Sequence, residues 1–193
     1  MVEDDVLVRR AREGDASSFG ELVERHERRT YNLCLRMVGN PEDALDAMQD
    51  TFLTAYRKLG SFRGEAAFTT WLHRVTVNAC YDLLRKRQRG PALRTTPDEQ
   101  PEIERGPPHP DHADTTAGTI DVQRALEQVP EEFRAALVLH DVQDVSVQEV
   151  AAILEVPVGT VKSRLHRGRV ALARALGVGE PDVADPASKG RAP

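Results

Sequence analysis

Apolar residues recur at three- and four-residue intervals through most of this chain, the spacing that places them on one face of an α-helix. Val2, Val6, Leu7 and Val8 thread a charged N-terminal run and predict a short first helix, broken at Gly14-Asp15. Asp15 or Ser17 can cap a second helix, which carries Phe19, Leu22, Val23 and His26 and continues toward Tyr31, Cys34 and Leu35. His26 on such a face reads as a satisfied or edge histidine rather than a ligand. Gly39-Asn40-Pro41 then stops one helix and starts the next: Asn40 caps, Pro41 takes the first helical position, and Glu42 and Asp43 fall where the helix dipole favours acids. Leu45, Met48, Phe52, Tyr56 and Leu59 form the apolar stripe of this third helix, with Asp43, Asp46 and Asp50 in an acidic stripe beside it and Gln49 adjacent. Beyond the loop Gly60–Glu65, a longer helix from about Phe68 to Arg89 turns Phe68, Leu72, Val75, Ala79 and Leu83 toward a core. Arg74, Asn78 and Arg85 share its neighbouring polar face, with Asp82 on the border.

The pattern lapses from Gly90 to Thr119. That stretch holds six prolines and six acids against two arginines, with almost no large apolar residue, so it cannot bury enough surface to fold alone. Periodicity resumes near Ile120 with Val122, Leu126 and Val129, breaks at Pro130, and restarts with Phe133, Ala136, Leu137 and His140. Ser146 followed three residues later by Glu149 is a capping box, and Val147, Val150, Ala151 and Leu154 form one short stripe behind it. Pro157 and Gly159 force a turn, and a second helix begins near Thr160. Two short helices about such a turn predict a helix-turn-helix, whose second helix ordinarily enters the DNA major groove.

Helical geometry divides that second helix. Val161, Leu165, Gly168 and Leu172 share the face that must pack. Ser163, His166, Arg167 and, further on, Arg174 lie opposite; Thr160 and Arg164 flank them on one side, Lys162 and Arg169 on the other. No acid occurs between Val156 and Gly179. A cationic face with short polar groups at its N-terminal end suits base-edge contacts flanked by phosphate contacts. A solvated basic helix in an ordinary bundle would lack the capping box and the Pro-x-Gly turn. The tail after Gly177 is Gly/Pro-rich and polar, hence disordered. The expectation is an all-α chain of two small helical domains, about 1–89 and 120–177, joined by a disordered linker at 90–119 and followed by a disordered tail at 178–193.

Composition narrows the function. The 193 residues are 40% hydrophobic but only 5% aromatic, so the cores are aliphatic, and the net charge of −5 argues against a protein that grips naked DNA unaided. Residues 1–89 carry 15 Lys+Arg against 14 Asp+Glu, and residues 120–177 carry 7 against 8, so neither folded half is basic overall. Cys34 and Cys80 lack metal spacing and read as buried reduced thiols; His109 and His112, in the acidic linker, are a poor metal pair. No signal peptide and no apolar run approaching about 20 residues is present, which predicts a cytoplasmic protein without membrane insertion. No Gly-rich phosphate loop, metal cluster or nucleophile–base pairing stands out, so neither an enzyme nor a cofactor is expected. A repressor or response-regulator effector would need a receiver, ligand pocket or dimer element in the first half, where only a short acidic-faced bundle is found.

The stretch PVGTVKSRLHRGRVAL resembles the DNA-reading helix of region 4 in extracytoplasmic-function (group 4) bacterial sigma factors. DALDAMQDTF resembles region 2.2 of the same family, and WLHRVTVNACYDLLR its regions 2.3 and 2.4, with the Asn-x-x-x-Asp-x-x-Arg spacing at Asn78, Asp82 and Arg85. The resemblance covers about residues 15–89 and 120–176. It implies a sigma-2 bundle and a sigma-4 helix-turn-helix that bind core RNA polymerase and direct it to promoters. Asp43, Asp46, Gln49, Asp50 and Phe52 would dock on the beta-prime clamp helices. Phe62, Arg63, Arg74, Asn78, Asp82 and Arg85 would serve the −10 element, with Phe62 and Asn78 holding an extruded base. Ser163, His166 and Arg167 would read the −35 element while Thr160, Lys162 and Arg164, beside Gly159, hold phosphates. The beta flap, promoter DNA and an anti-sigma factor are the further implied partners, and the linker would thread the polymerase cleft and RNA exit channel. Two departures are visible: Glu155 stands where the family usually has a small residue closing the first helix of the motif, and Gly168 where Ala is commoner.

Overall fold

The structure, a computed structural model, describes residues 3–89 and 117–178. The expectations for most of the linker, for His109 and His112, and for nearly all of the tail lie outside those residues; the helix expected to resume near Ile120 begins at Ala117, inside the expected linker. The chain divides into two compact units, 1–120 and 121–193. Helices account for the regular structure, and no strand occurs among the described residues.

In the first unit α1 (Asp4–Arg12), α2 (Ala16–Val38), α3 (Pro41–Lys58) and α4 (Phe68–Gln88) form a bundle, with a 3-10 turn at Leu59–Ser61. Helix entrances follow local chemistry. The Asp15 carboxylate accepts from the backbone N–H of Ser17 and Ser18 and caps α2, while Gly39, at φ 96°, closes it. The Asn40 side chain accepts from the Asp43 N–H at 2.9 Å and caps α3, with Pro41 at the first position. Asp4 joins α1 to α2 by accepting from Arg25 at 2.6 Å and meeting His26 Nε2 at 2.8 Å, so the nearly buried His26 is a satisfied edge histidine.

The buried faces of α3 and α4 differ from the expected stripes. On α3 the fully buried row is Ala44, Ala47, Thr51 and Ala55, each 0% exposed. Small side chains let α2 and α4 approach α3 closely, and Thr51 satisfies its hydroxyl by donating to the Ala47 carbonyl at 2.7 Å. Leu45, Met48 and Phe52 are rotated one position around and only half-buried, and Tyr56 is 56% exposed against Phe19 at a ring separation of 5.0 Å. On α4 the core row is Phe68, Leu72, Val75, Thr76, Cys80 and Leu84; Ala79 and Leu83 are half-buried. Cys34 and Cys80 meet inside the bundle, both fully buried and reduced. The hydrogen bond to Cys80, and then burial, hold the Cys34 thiol well above its usual pKa, so it stays protonated.

The second unit contains most of α5 (Ala117–Glu127), together with α6 (Glu131–Leu137), α7 (Val147–Leu154) and α8 (Val158–Ala175). A π turn at Val138–Val142 extends α6. Pro130 separates α5 from α6, and the buried Arg134 donates at 3.0 Å to both Glu127 and Val129 carbonyls, satisfying the end of α5. Ala125, Leu126 and Val129 join Ala135–Leu139, Val150, Ile153, Val161 and Leu165 in an aliphatic core. Val122, expected on the buried stripe, is 37% exposed.

Candidate nucleic-acid interface

The helix-turn-helix is built from its caps outward. Ser146 and Glu149 form the reciprocal capping box: Glu149 N–H donates to Ser146 Oγ at 3.2 Å, and Ser146 N–H to Glu149 Oε2 at 3.2 Å. The loop ahead of it is held by a 2.8 Å contact between His140 Nδ1 and the Val145 carbonyl. At the other end of α7, Glu155 adopts φ 53° and ψ 43°, the left-handed conformation that a glycine would take without Cβ strain. The turn therefore keeps its geometry without the small residue, and Pro157 then opens α8.

Val161, Leu165 and Gly168 are the buried face of α8. Gly168 has a specific reason to be there. A Cβ at this position would lie 2.9 Å from both Cγ and Cδ1 of Leu137 and 3.3 Å from the Phe133 carbonyl oxygen. The missing side chain sets how closely α8 seats on α6.

The outer face carries Gly159, Lys162, Ser163 and Arg167, all exposed. Lys162, Ser163 and Arg167 have no hydrogen bond or ion pair among the described residues, so their donors are open to a ligand. Thr160 and His166 are half-buried. His166 lies nearer the packing face than Ser163 does, and its buried Nδ1 lacks a partner among the described residues. The flanking cations are tied to the unit itself: Arg164 donates to Glu132 at 3.1 Å, and Arg169 meets Asp141 at 2.6 and 3.0 Å. Neither acid was found by sequence reasoning. Asp141 precedes Arg169 by 28 positions, and no local spacing signals the pair.

In the first unit, Asp46, Gln49 and Asp50 are exposed along one side of α3. Asp43 is not equivalent to them. It accepts from Asn40 at 2.7 Å and from Arg87 of α4 at 2.8 Å, while Arg87 also donates to the Val38 carbonyl at 3.3 Å. Asp43 thus fastens the start of α3 to the end of α4. Phe52 is half-buried against the cluster of Leu7, Leu22 and Phe68.

Phe62 is only 7% exposed, edge-on to Phe68 at 6.2 Å and 5.1 Å from Trp71, so its ring packs in the core and anchors the loop. Arg63 is exposed beside Glu65 at 4.0 Å. Along α4, Asn78, Asp82 and Arg85 are exposed and Arg74 half-buried; Arg85 pairs with Asp82 at 3.1 Å and donates to the Tyr81 carbonyl at 3.2 Å. Among the described residues no group of three or more His, Cys, Asp or Glu could hold a metal ion, and no helix is long and apolar enough to cross a membrane.

Comparison with known proteins matches both units. The sigma-70 region 2 family model matches residues 22–90, and the sigma-70 region 4 model residues 119–172. The chain is 44% identical over 164 residues to the ECF RNA polymerase sigma factor SigM of Mycobacterium tuberculosis, covering 85% of this chain and 80% of that one. It is 36% identical over 179 residues to the ECF RNA polymerase sigma-E factor of Escherichia coli, covering 89% and 93%. Among solved structures it is similar to CnrH in complex with the cytosolic domain of CnrY, at TM-score 0.66 and 26% identity over 90% of this chain and 97% of that one. It is also similar to the sigma factor RpoE of Bartonella quintana in complex with the anti-sigma factor NepR, at TM-score 0.65 and 25% identity, covering 84% and 98%.

Proposed function

The chain belongs to the ECF RNA polymerase sigma factors of the sigma-70 family, and from that premise we propose how its two units divide the work of promoter recognition. The protein binds core RNA polymerase and directs it to initiate transcription at particular promoters. The polymerase supplies the covalent chemistry, in the cytoplasm, and this chain supplies the address. The observation that carries the reading is that regions 2 and 4 occur in order in one chain, each folded as its own helical unit.

In this reading α8 enters the major groove of the −35 element. Ser163 and Arg167 reach base edges, His166 contributes from the border of that face, and Lys162, Thr160 and Arg164 hold phosphates around the exposed Gly159. Asp46, Gln49 and Asp50 dock on the polymerase clamp, with Phe52 as the apolar border and Asp43 setting the helix that presents them. Asn78, Asp82, Arg85, Arg74 and Arg63 line the surface offered to the −10 element, and Phe62 fixes the loop that carries Arg63. Domain limits near 1–89 and 120–177, with a linker between, fit this division. The solved relatives in complex with CnrY and with the anti-sigma factor NepR support control by an anti-sigma partner.

The test compares two substitutions on α8 in the polymerase-bound protein. Arg167→Ala should cost about 1–3 kcal/mol and relax base preference at one −35 position, whereas Lys162→Ala should weaken all −35 sequences alike. A change of base preference with Lys162→Ala and none with Arg167→Ala would reverse the assigned orientation of the helix.

A further inference from the structure

Arg169 lies on the flank of α8, and its guanidinium is held in one plane. Nε donates to Asp141 Oδ2 at 3.0 Å and Nη2 to Oδ1 at 2.6 Å, a two-point contact from the side of the fork. That leaves Nη1 and the second N–H of Nη2 on the edge facing away from Asp141. The side chains are partly open to solvent, Arg169 at 41% and Asp141 at 34%. The Asp141 hydrogen bonds also push the Arg169 pKa above its ordinary value, outweighing the opposite effect of partial burial. Asp141 has a fixed origin, because it sits in the π turn Val138–Val142, which the Gln143 N–H closes onto the Val138 carbonyl at 3.0 Å. The pair at Arg164 is different. It gives Glu132 a single Nη2 contact at 3.1 Å, which leaves the plane of that guanidinium free.

We propose that Asp141 is a positioning residue: it holds Arg169 as a phosphate-binding fork whose outward N–H edge takes an oxygen of the DNA backbone beside α8. The inference rests on the reading of α8 as the −35 helix. An arginine already fixed in its binding geometry loses less side-chain freedom when the phosphate arrives. A carboxylate so near DNA would otherwise only repel it, so the sign of the Asp141 effect decides between positioning and masking.

The measurement uses the full chain bound to core RNA polymerase, with a duplex selected by that complex from a pool randomised in the −35 segment. Affinity is followed as a function of KCl concentration. Arg169→Ala should weaken binding roughly tenfold for every −35 sequence, and reduce the slope of log affinity against log salt by about 0.9, the loss of one phosphate contact. Asp141→Asn should also weaken binding severalfold even though it removes a negative charge. Asp141→Glu should recover most of that loss, and Asp141→Asn should add nothing in the Arg169→Ala background. Tighter binding by Asp141→Asn would show that the acid masks Arg169, and unchanged binding would show that it does neither; either overturns the proposal. If Asp141→Asn fails to fold, Arg169→Lys asks the same question, since lysine keeps the charge but cannot be held in a plane by two points. Wild-type affinity for Arg169→Lys overturns the proposal. Lys162→Ala separates the two levels of inference. If it weakens binding while the Arg169 and Asp141 variants do not, only the positioning role fails; if none of the three matters, the assignment of α8 to DNA fails as well.

Discussion

Replacing Gly168 with alanine sets two well-measured effects against each other. Alanine is the better helix former by about 0.8–1.0 kcal/mol in a helix interior, and intrinsic propensity alone predicts stabilisation. The packing predicts the reverse. The new methyl would lie 2.9 Å from Leu137 Cγ and Cδ1, well inside van der Waals contact, and 3.3 Å from the Phe133 carbonyl oxygen. Leu137 is itself buried in the aliphatic core, only 2% exposed, so its side chain has little room to rotate away. The carbonyl belongs to the α6 backbone and moves only with the helix. Overpacking of this kind costs about 1–3 kcal/mol, which leaves a net loss of about 1 kcal/mol after the propensity gain. For a unit of this size that lowers the midpoint by about 4–8 °C. The full chain carries an internal control: its single tryptophan, Trp71, is in the first unit. Heating followed by Trp71 fluorescence should superimpose on the wild type, while hydrogen exchange at the Val161 and Leu165 amides should accelerate. A second unit that becomes more stable on Gly168→Ala would refute the close-approach argument and leave propensity as the governing effect.

Other outcomes follow from the first unit. Asp46, Gln49 and Asp50 changed together to alanine should weaken binding to core RNA polymerase in a pull-down titration without moving the midpoint, because all three are exposed; unchanged affinity removes them from the docking surface. Asp43→Ala should instead destabilise the bundle by about 1 kcal/mol through loss of the Arg87 and Asn40 contacts, visible as a lower midpoint by Trp71 fluorescence. Phe62→Ala should cost about 3 kcal/mol as a core truncation and shift the emission of the neighbouring Trp71; normal stability with impaired promoter melting would return Phe62 to the DNA. The side-chain hydrogen bonds from Ser17 and Ser18 hold the Asp15 carboxyl at about 2, below its usual 3.8. A depressed folded-state pKa means the cap contributes fully above about pH 4, and that contribution fades as the pH falls toward 2. Asp15→Asn, which can cap at any pH, should flatten the acid limb of the stability profile.

The parts of this molecule legible in its sequence are those set by neighbours a few residues away. The Asn40-Pro41 start of α3 and the Ser146–Glu149 box of α7 were readable because their partners lie within one turn. The faces of α8 were readable because the helix packs on one side only. The register of α3 was not. Its large residues suggest one stripe, yet it is a row of alanines and Thr51 that allows three helices to approach, and alanine carries little weight in a hydrophobic pattern. α4 misled in the same way, since it packs against both α2 and α3 and buries more than one face. At the candidate site, the open donors of Lys162, Ser163 and Arg167 were predictable from helical angle. The roles of Asp141, Glu132 and Arg87, and the burial of Phe62, depend on contacts made across the fold.

The central claim is that two weak DNA-contacting surfaces act together only when core RNA polymerase holds them. Affinity for DNA comes largely from phosphate neutralisation, and neither half of the chain is basic overall. Within α8 and the end of α4, Arg164, Arg85 and Arg87 are already engaged by acids of the chain itself. The direct measurement is a mobility-shift titration of a promoter duplex with the isolated chain and with the chain plus core enzyme, at about 0.15 M salt. The account predicts weak, poorly selective binding by the chain alone and sequence-specific binding once polymerase is added. Tight, sequence-specific binding by the chain without polymerase would contradict it.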